Sequence, residues 1–83
     1  MPPVKFAALS RLLIDLGFTI RVDPTFIRFD YAEANAWFLF PPYDEDEEVA
    51  ISDLVGTRYA LDMKGFLPRD QFEEQLRRNL VAG

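Results

Sequence analysis

The amino-acid sequence predicts an α+β fold in which a three-stranded antiparallel sheet packs on one face against helices, in the order α-β-β-β-α-α. Apolar residues recur at helical spacing near both ends of the chain, and three short segments with strand-like patterns lie between residues 19 and 40. Glycine or proline follows several of these segments, as is usual where helices and strands end. With 83 residues, the chain is expected to form one domain over residues 1–83.

The first helix is predicted from Val4 to Leu16, and Gly17 follows it at the position of a C-terminal cap. Phe18 comes next, where a side chain commonly folds back onto the last helical turn. The apolar residues at helical spacing are Phe6, Leu9, Leu12, Leu13 and Leu16. We expect most of this stripe to lie in the core.

Three strands are predicted over Thr19–Val22, Thr25–Tyr31 and Ala36–Phe40, with a turn at Asp23-Pro24 and a hairpin connection at Ala32–Asn35. Side chains alternate between the two faces of a strand. In the second strand, the face expected to be buried carries Ile27, Phe29 and Tyr31, and the opposite face carries Phe26, Arg28 and Asp30. In the third strand, Trp37 and Leu39 point one way, and Phe38 and Phe40 point the other. Both faces of the third strand are therefore apolar.

A second helix is predicted to begin at the capping residues Ser52 and Asp53 and to run to about Lys64, before Gly65. Its expected core residues are Leu54, Val55 and Leu61. The lone glycine inside this helix, Gly56, is interpreted as a site of close packing against the sheet.

The last helix is predicted to begin at Pro68, because proline suits the first position of a helix. Its apolar stripe is expected to contain Phe72, Leu76 and Leu80. With the second helix, it completes the helical layer on one face of the sheet.

The chain contains neither histidine nor cysteine, which removes the imidazole base, the thiol nucleophile and the usual ligands of zinc, haem and iron-sulfur centres. We therefore expect no cofactor. A net charge of −5 disfavours general binding to nucleic acid. No segment has the run of about 18 to 20 apolar residues that a membrane span needs, and a cytoplasmic protein is expected.

Five consecutive acids, Asp44–Glu48, lie between the third strand and the second helix. Oxygen ligands suffice for calcium or magnesium, but the glycine and glutamate of a helix-loop-helix calcium site are replaced by Val49 and Val55. The alternative interpretation is a solvated loop whose charge favours the N-terminal end of the following helix.

Three stretches, Leu9–Phe18, Thr25–Pro41 and Asp53–Leu67, together resemble the HicA-like family of toxins from bacterial toxin-antitoxin pairs. The resemblance implies a fold like the double-stranded RNA-binding domain and an antitoxin partner. In that family, a histidine near the start of the second strand acts in RNA cleavage. Phe26 stands at the corresponding position here, so the resemblance implies the fold while the catalytic side chain is missing.

The aromatic residues Phe26, Trp37 and Phe38, together with Arg28, are the candidate partner-binding residues. Three interpretations remain open for the aromatic side chains: burial by a twisted hairpin, an exposed patch that meets a protein partner, or a surface that stacks single-stranded RNA. The sequence favours a non-catalytic protein-interaction module, with a second copy of the chain or a small antitoxin-like protein as partner. The alternative is an RNA-cleaving toxin that an antitoxin neutralises.

Overall fold

A computed structural model describes residues 3–82, and the side chains of residues 3–79. Its helices are α1 (Phe6–Asp15), α2 (Ile51–Met63) and α3 (Arg69–Ala82), and its strands are β1 (Thr19–Asp23), β2 (Phe26–Tyr31) and β3 (Ala36–Phe40). A single 3-10 turn, Ala32–Ala34, connects β2 to β3. The α+β class and the order α-β-β-β-α-α are confirmed. None of the helices in this part of the chain is long and apolar enough to cross a membrane.

The sheet has the order β1-β2-β3, and both pairs of strands are antiparallel. Phe29 pairs with Ile20 of β1 and with Phe38 of β3, so these three side chains share the face that the helices cover. Ile27 and Phe29 are buried there, as the alternation predicted, while Tyr31 is half-buried. The buried side chains of the sheet come from β2 and also from β3, where Ala36 and Phe40 are buried.

Both α1 and α2 end in the same way, with a glycine at positive φ followed by a phenylalanine. Gly17 has φ +107° and Gly65 has φ +78°. The N–H of Phe18 donates to the carbonyl of Leu13 at 3.0 Å, and the N–H of Phe66 donates to the carbonyl of Leu61 at 2.9 Å. This is the hydrogen-bond pattern of a Schellman motif, and it confirms the predicted ends of both helices.

The core forms one cluster of buried apolar side chains from all three helices, β2, β3 and the connecting segments. Helical and strand periodicity places eight residues of α1, β2 and α2 on inward faces, and seven of them are buried: Phe6, Leu9, Leu13, Ile27, Phe29, Leu54 and Leu61. The eighth, Leu16, is only half-buried, because it lies at the end of α1. Phe72 and Leu76 of α3 are buried as expected, and the side chain of Leu80 lies outside the described residues.

Three expectations for α2 are wrong. The helix begins at Ile51 after Ala50, and neither Ser52 nor Asp53 caps it, because both lie within its first turn. Val55 is exposed, since the buried positions of α2 follow Leu54, Thr57 and Leu61. Gly56 does not pack against the sheet either: a Cβ atom added to it would meet nothing within 4 Å.

The acidic segment Asp44–Glu48 contributes to α1 rather than only to the helix that follows it. The carbonyl of Glu47 accepts a hydrogen bond from the N–H of Phe6 at 2.8 Å, and the carbonyl of Glu45 accepts one from Ala7 at 3.0 Å. These are N–H groups of the first turn of α1, which have no partner within the helix. The segment therefore caps α1 through its backbone, while its five side chains remain exposed.

Candidate functional site: the outer face of the sheet

The helices cover one face of the sheet, and none of the described side chains on the opposite face is fully buried. We call this opposite surface the outer sheet face. By strand register it contains Thr19, Arg21, Asp23, Phe26, Arg28, Asp30, Trp37 and Leu39. Two of its apolar side chains are widely accessible: Trp37 is 53% exposed and Leu39 is 54% exposed, while Phe26 is half-buried. Exposed apolar side chains beside polar groups are typical of contact surfaces.

Arg28 organises the centre of this face. Its guanidinium carbon lies 4.7 Å from the centroid of the Trp37 ring. Its Nε donates to both carboxylate oxygens of Asp30, at 2.9 and 3.1 Å. The cation is thus held between a carboxylate and an aromatic ring, an arrangement that restricts the guanidinium and the indole together.

Phe26 is the first residue of β2, lies on the same face and is half-buried. The guanidinium carbon of Arg21, on the neighbouring strand β1, lies 5.5 Å from its ring centroid. Two arginine-aromatic pairs therefore lie side by side on the outer sheet face. The structure places Phe26, Arg28 and Trp37 on one face; alternation predicted this for Phe26 and Arg28 but left open whether Trp37 or Phe38 would join them.

Phe38, the fourth candidate residue, lies apart from the other three. It points to the helix-covered face, where its ring centroid is 5.5 Å from that of Phe18 and 6.2 Å from that of Phe40. It is half-buried against the core. Of the two apolar sets on β3, the exposed one is therefore the set that contains Trp37 and Leu39.

The acidic segment offers little evidence of a cation site. Across the part of the chain that the structure describes, no group of three or more carboxylates is placed to hold a metal ion. Glu47 uses one carboxylate oxygen to accept from the N–H of Asp44 at 3.2 Å. Its backbone groups already cap α1, so a structural contribution accounts for the segment.

Tyr43 is the one described side chain whose pKa clearly departs from its ordinary value. Burial raises the pKa of Tyr43, and the hydrogen bond that its hydroxyl donates to Asp53 at 2.6 Å raises it further. Its ring stacks on Phe6 at a centroid distance of 5.2 Å. These contacts give Tyr43 a structural function between α1 and α2.

Sequence reasoning missed two other exposed apolar surfaces. One is a stripe along α2 formed by Ile51, Val55, Tyr59 and Met63, which the spacing of four residues would have shown. The other is an open groove between α1 and the edge strand β1, where Ile14, Ile20 and Val22 are exposed. No local signal distinguished those three residues from core residues.

A scan against protein-family models and searches of the curated proteins and of the solved structures found no match for this chain.

Proposed function

We propose that this protein is a non-catalytic protein-interaction module related to HicA-like toxins, with a fold like the double-stranded RNA-binding domain, and that it acts in the cytoplasm. The observation that supports the proposal most directly is the exposed pair Trp37 and Leu39 on the outer sheet face. Tryptophan side chains in such positions often supply a large share of binding energy at protein interfaces.

The partner that this face fits best is a second copy of the chain. Its charged residues are Arg21, Arg28, Asp23 and Asp30, so the face has no net charge, and the remaining residues carry the net charge of −5. Two copies that meet at this face keep their acidic surfaces away from the contact. A face that carries both signs of charge can also complement itself about a two-fold axis.

The alternative, an RNA-cleaving toxin, receives less support from the same geometry. RNA binding would need free cations along the aromatic side chains. Arg28 already contacts Asp30 and Trp37. The resemblance to HicA-like toxins implies Phe26 at the position of that family's histidine. Protein contact is therefore the function that we favour.

The proposal can be tested by light scattering on the full chain over a wide range of concentration, with the fluorescence of its single tryptophan, Trp37, as a second measurement. We expect a dimer at high concentration and a shift of Trp37 emission to shorter wavelength as the dimer forms. Leu39→Ser should weaken association by about tenfold or more, because it removes an apolar side chain from the centre of the contact. Since Leu39 is exposed, the fold should be unchanged.

Tyr59→Ser is the matched control, because Tyr59 is equally exposed but lies on α2. Loss of association in this variant, with Leu39→Ser unaffected, would assign the contact to the stripe on α2 and contradict the proposal. A monomer at all concentrations would contradict it as well.

RNA cleavage is tested separately, by incubation of the purified protein with RNA in the presence and absence of magnesium. We expect no cleavage. Cleavage that copurifies with the folded protein, and that disappears in Arg28→Ala or Tyr31→Phe, would instead support the toxin.

A further inference from the structure

The edge strand β1 is unusually open to pairing with another strand. Among the described residues no strand lies on its far side, and all five of its residues pair with β2 in continuous register, without a bulge. Alternate backbone N–H and C=O groups of an edge strand have no partner in the sheet. The other edge, β3, is followed directly by Pro41 and Pro42, which cannot extend strand pairing.

The helix-covered side of β1 is also incompletely covered. Val22 is 70% exposed and Ile20 is 41% exposed, although both point to the same side as the buried residues of β2. On α1, Ile14 is 46% exposed. These three side chains line one open groove of about 1070 Å³, which runs between α1 and the edge of the sheet. The helical layer is thus wider than the three-stranded sheet beneath it.

A fourth strand beside β1 would fill this groove. Its backbone would pair with the free groups of β1, and every second side chain would point into the groove. Apolar side chains there would cover Ile14, Ile20 and Val22. The same strand would therefore satisfy the open backbone groups and the exposed apolar residues together.

The charges around the groove indicate what kind of strand fits. Four carboxylates line it, and two bases oppose them: Asp15, Asp44, Glu45 and Asp46, with Lys5 and Arg11. The groove is therefore acidic, in a chain that is itself acidic. A second copy would bring the same acidic residues against these carboxylates, whereas lysine or arginine on the incoming strand would complement them.

We propose that β1 and its groove bind an extended segment of a different protein, in which apolar residues alternate along the strand and basic residues flank it. The segment adds to the sheet as a fourth strand at β1. This surface is separate from the outer sheet face, and it does not depend on dimer formation through that face.

The experiment uses the full chain labelled with ¹⁵N and the synthetic peptide Lys-Lys-Val-Thr-Val-Thr-Val-Lys-Lys, followed by NMR at low ionic strength. We expect the peptide to shift the amide signals of Thr19–Asp23 at millimolar concentration. Two matched peptides are the controls: one with glutamate in place of every lysine, and one with proline in place of both threonines. Both should bind about tenfold more weakly, because one loses charge complementarity and the other loses strand pairing.

Substitutions in the protein, rather than in the peptide, test the same site. Val22→Lys should weaken peptide binding by about tenfold, because it places a cation at an exposed edge position that a basic peptide must approach. Met63→Lys adds a lysine at a similarly exposed position on α2 that does not line the groove, and it should leave peptide binding unchanged. Glu45→Gln with Asp46→Asn should also weaken binding, and added salt should reduce the difference from wild type.

Three results would overturn the inference. One is the absence of any shift in β1 with the lysine peptide, and another is equal binding of the lysine and glutamate peptides. The third is a shift of the β1 signals with protein concentration, without peptide, in the Leu39→Ser variant, which cannot arise from contact through the outer sheet face and would assign this edge to a second copy. The amide spectrum of each variant shows directly whether it is folded.

Discussion

The hydroxyl of Tyr43 donates a hydrogen bond of 2.6 Å to the carboxylate of Asp53, and it accepts one of 3.0 Å from the N–H of Ala50. Tyr43 belongs to the segment before α2, and Asp53 belongs to the first turn of that helix. The ring of Tyr43 stacks on Phe6 of α1. One side chain therefore connects the beginnings of two helices and replaces the side-chain cap that α2 lacks.

Tyr43→Phe should lower the free energy of unfolding by about 0.5–1.5 kcal/mol, because it removes the hydrogen bonds to the half-buried carboxylate of Asp53 and the exposed N–H of Ala50. Urea denaturation measures the change. Tyr59→Phe is the control, since Tyr59 is exposed on α2 and its substitution should stay within about 0.5 kcal/mol of wild type. Equal stability of the two variants would show that the hydrogen bond contributes little.

The stability that Tyr43 supplies should depend on pH. Burial and the bond to Asp53 raise its pKa in the folded protein above the ordinary 10.0. The folded state thus holds the phenol proton more tightly than the unfolded state, so this contribution is complete below pH 10.0 and is lost as pH rises through the folded-state value. The stability difference between wild type and Tyr43→Phe should be constant near neutral pH and should decrease in alkali. A stability difference between wild type and Tyr43→Phe that grows in alkali would contradict a raised pKa of Tyr43 in the folded protein.

Leu13→Ala should lower the free energy of unfolding by about 2–5 kcal/mol, because Leu13 is completely buried and its loss leaves a cavity. Leu16→Ala deletes the same atoms from the end of the same helix. Since Leu16 is only half-buried, its substitution should cost clearly less. Urea denaturation of both variants measures the change. An equal loss of unfolding free energy in the two variants would contradict the burial of Leu13 and the partial exposure of Leu16.

Gly56→Ala should stabilise the protein by about 0.4–1 kcal/mol, because the position is helical and alanine restricts the unfolded chain more than glycine does. The structure offers open space for the methyl group. Thermal unfolding gives the shift in midpoint temperature. A destabilised variant would mean that something packs against Gly56, as the sequence had suggested.

Gly17→Ala should destabilise the protein more than Gly65→Ala. Both glycines have positive φ, which costs a residue with a side chain about 1–2 kcal/mol. At Gly17, a Cβ atom would also lie 2.9 Å from Cε2 of Tyr31, whereas at Gly65 it would meet nothing within 4 Å. The difference between the two free energies of unfolding therefore reflects the steric contact with Tyr31 together with the larger φ of Gly17.

The sequence predicted most of the fold because the signals for it are local. The apolar spacing of α1, the glycines after α1 and α2 and the alternation in β2 each depend on a few neighbouring residues. The start of α2 was mispredicted because Ser52 has a strong preference for caps, whereas the position of Ala50 depends on its hydrogen bond to Tyr43 and is not visible in local sequence.

The candidate site was predicted only in part for a similar reason. Alternation placed Phe26 and Arg28 on one face. Because β3 is apolar on both faces, alternation could not show whether Trp37 or Phe38 would be exposed. Phe38 lies on the helix-covered face because it packs against Phe18, which follows α1. The exposure of Val22 depends on the width of the sheet relative to the helices, which no local pattern encodes.

The two Schellman motifs are linked by the side chains that follow their glycines. The ring centroids of Phe18 and Phe66 lie 5.1 Å apart, so the C-terminal turns of α1 and α2 rest on each other although 48 residues separate them in the chain. Unwinding of either turn would withdraw the ring that supports the other. The last turns of the two helices should therefore open as one cooperative unit, with amide protons at both ends exchanging with solvent at the same free energy of opening.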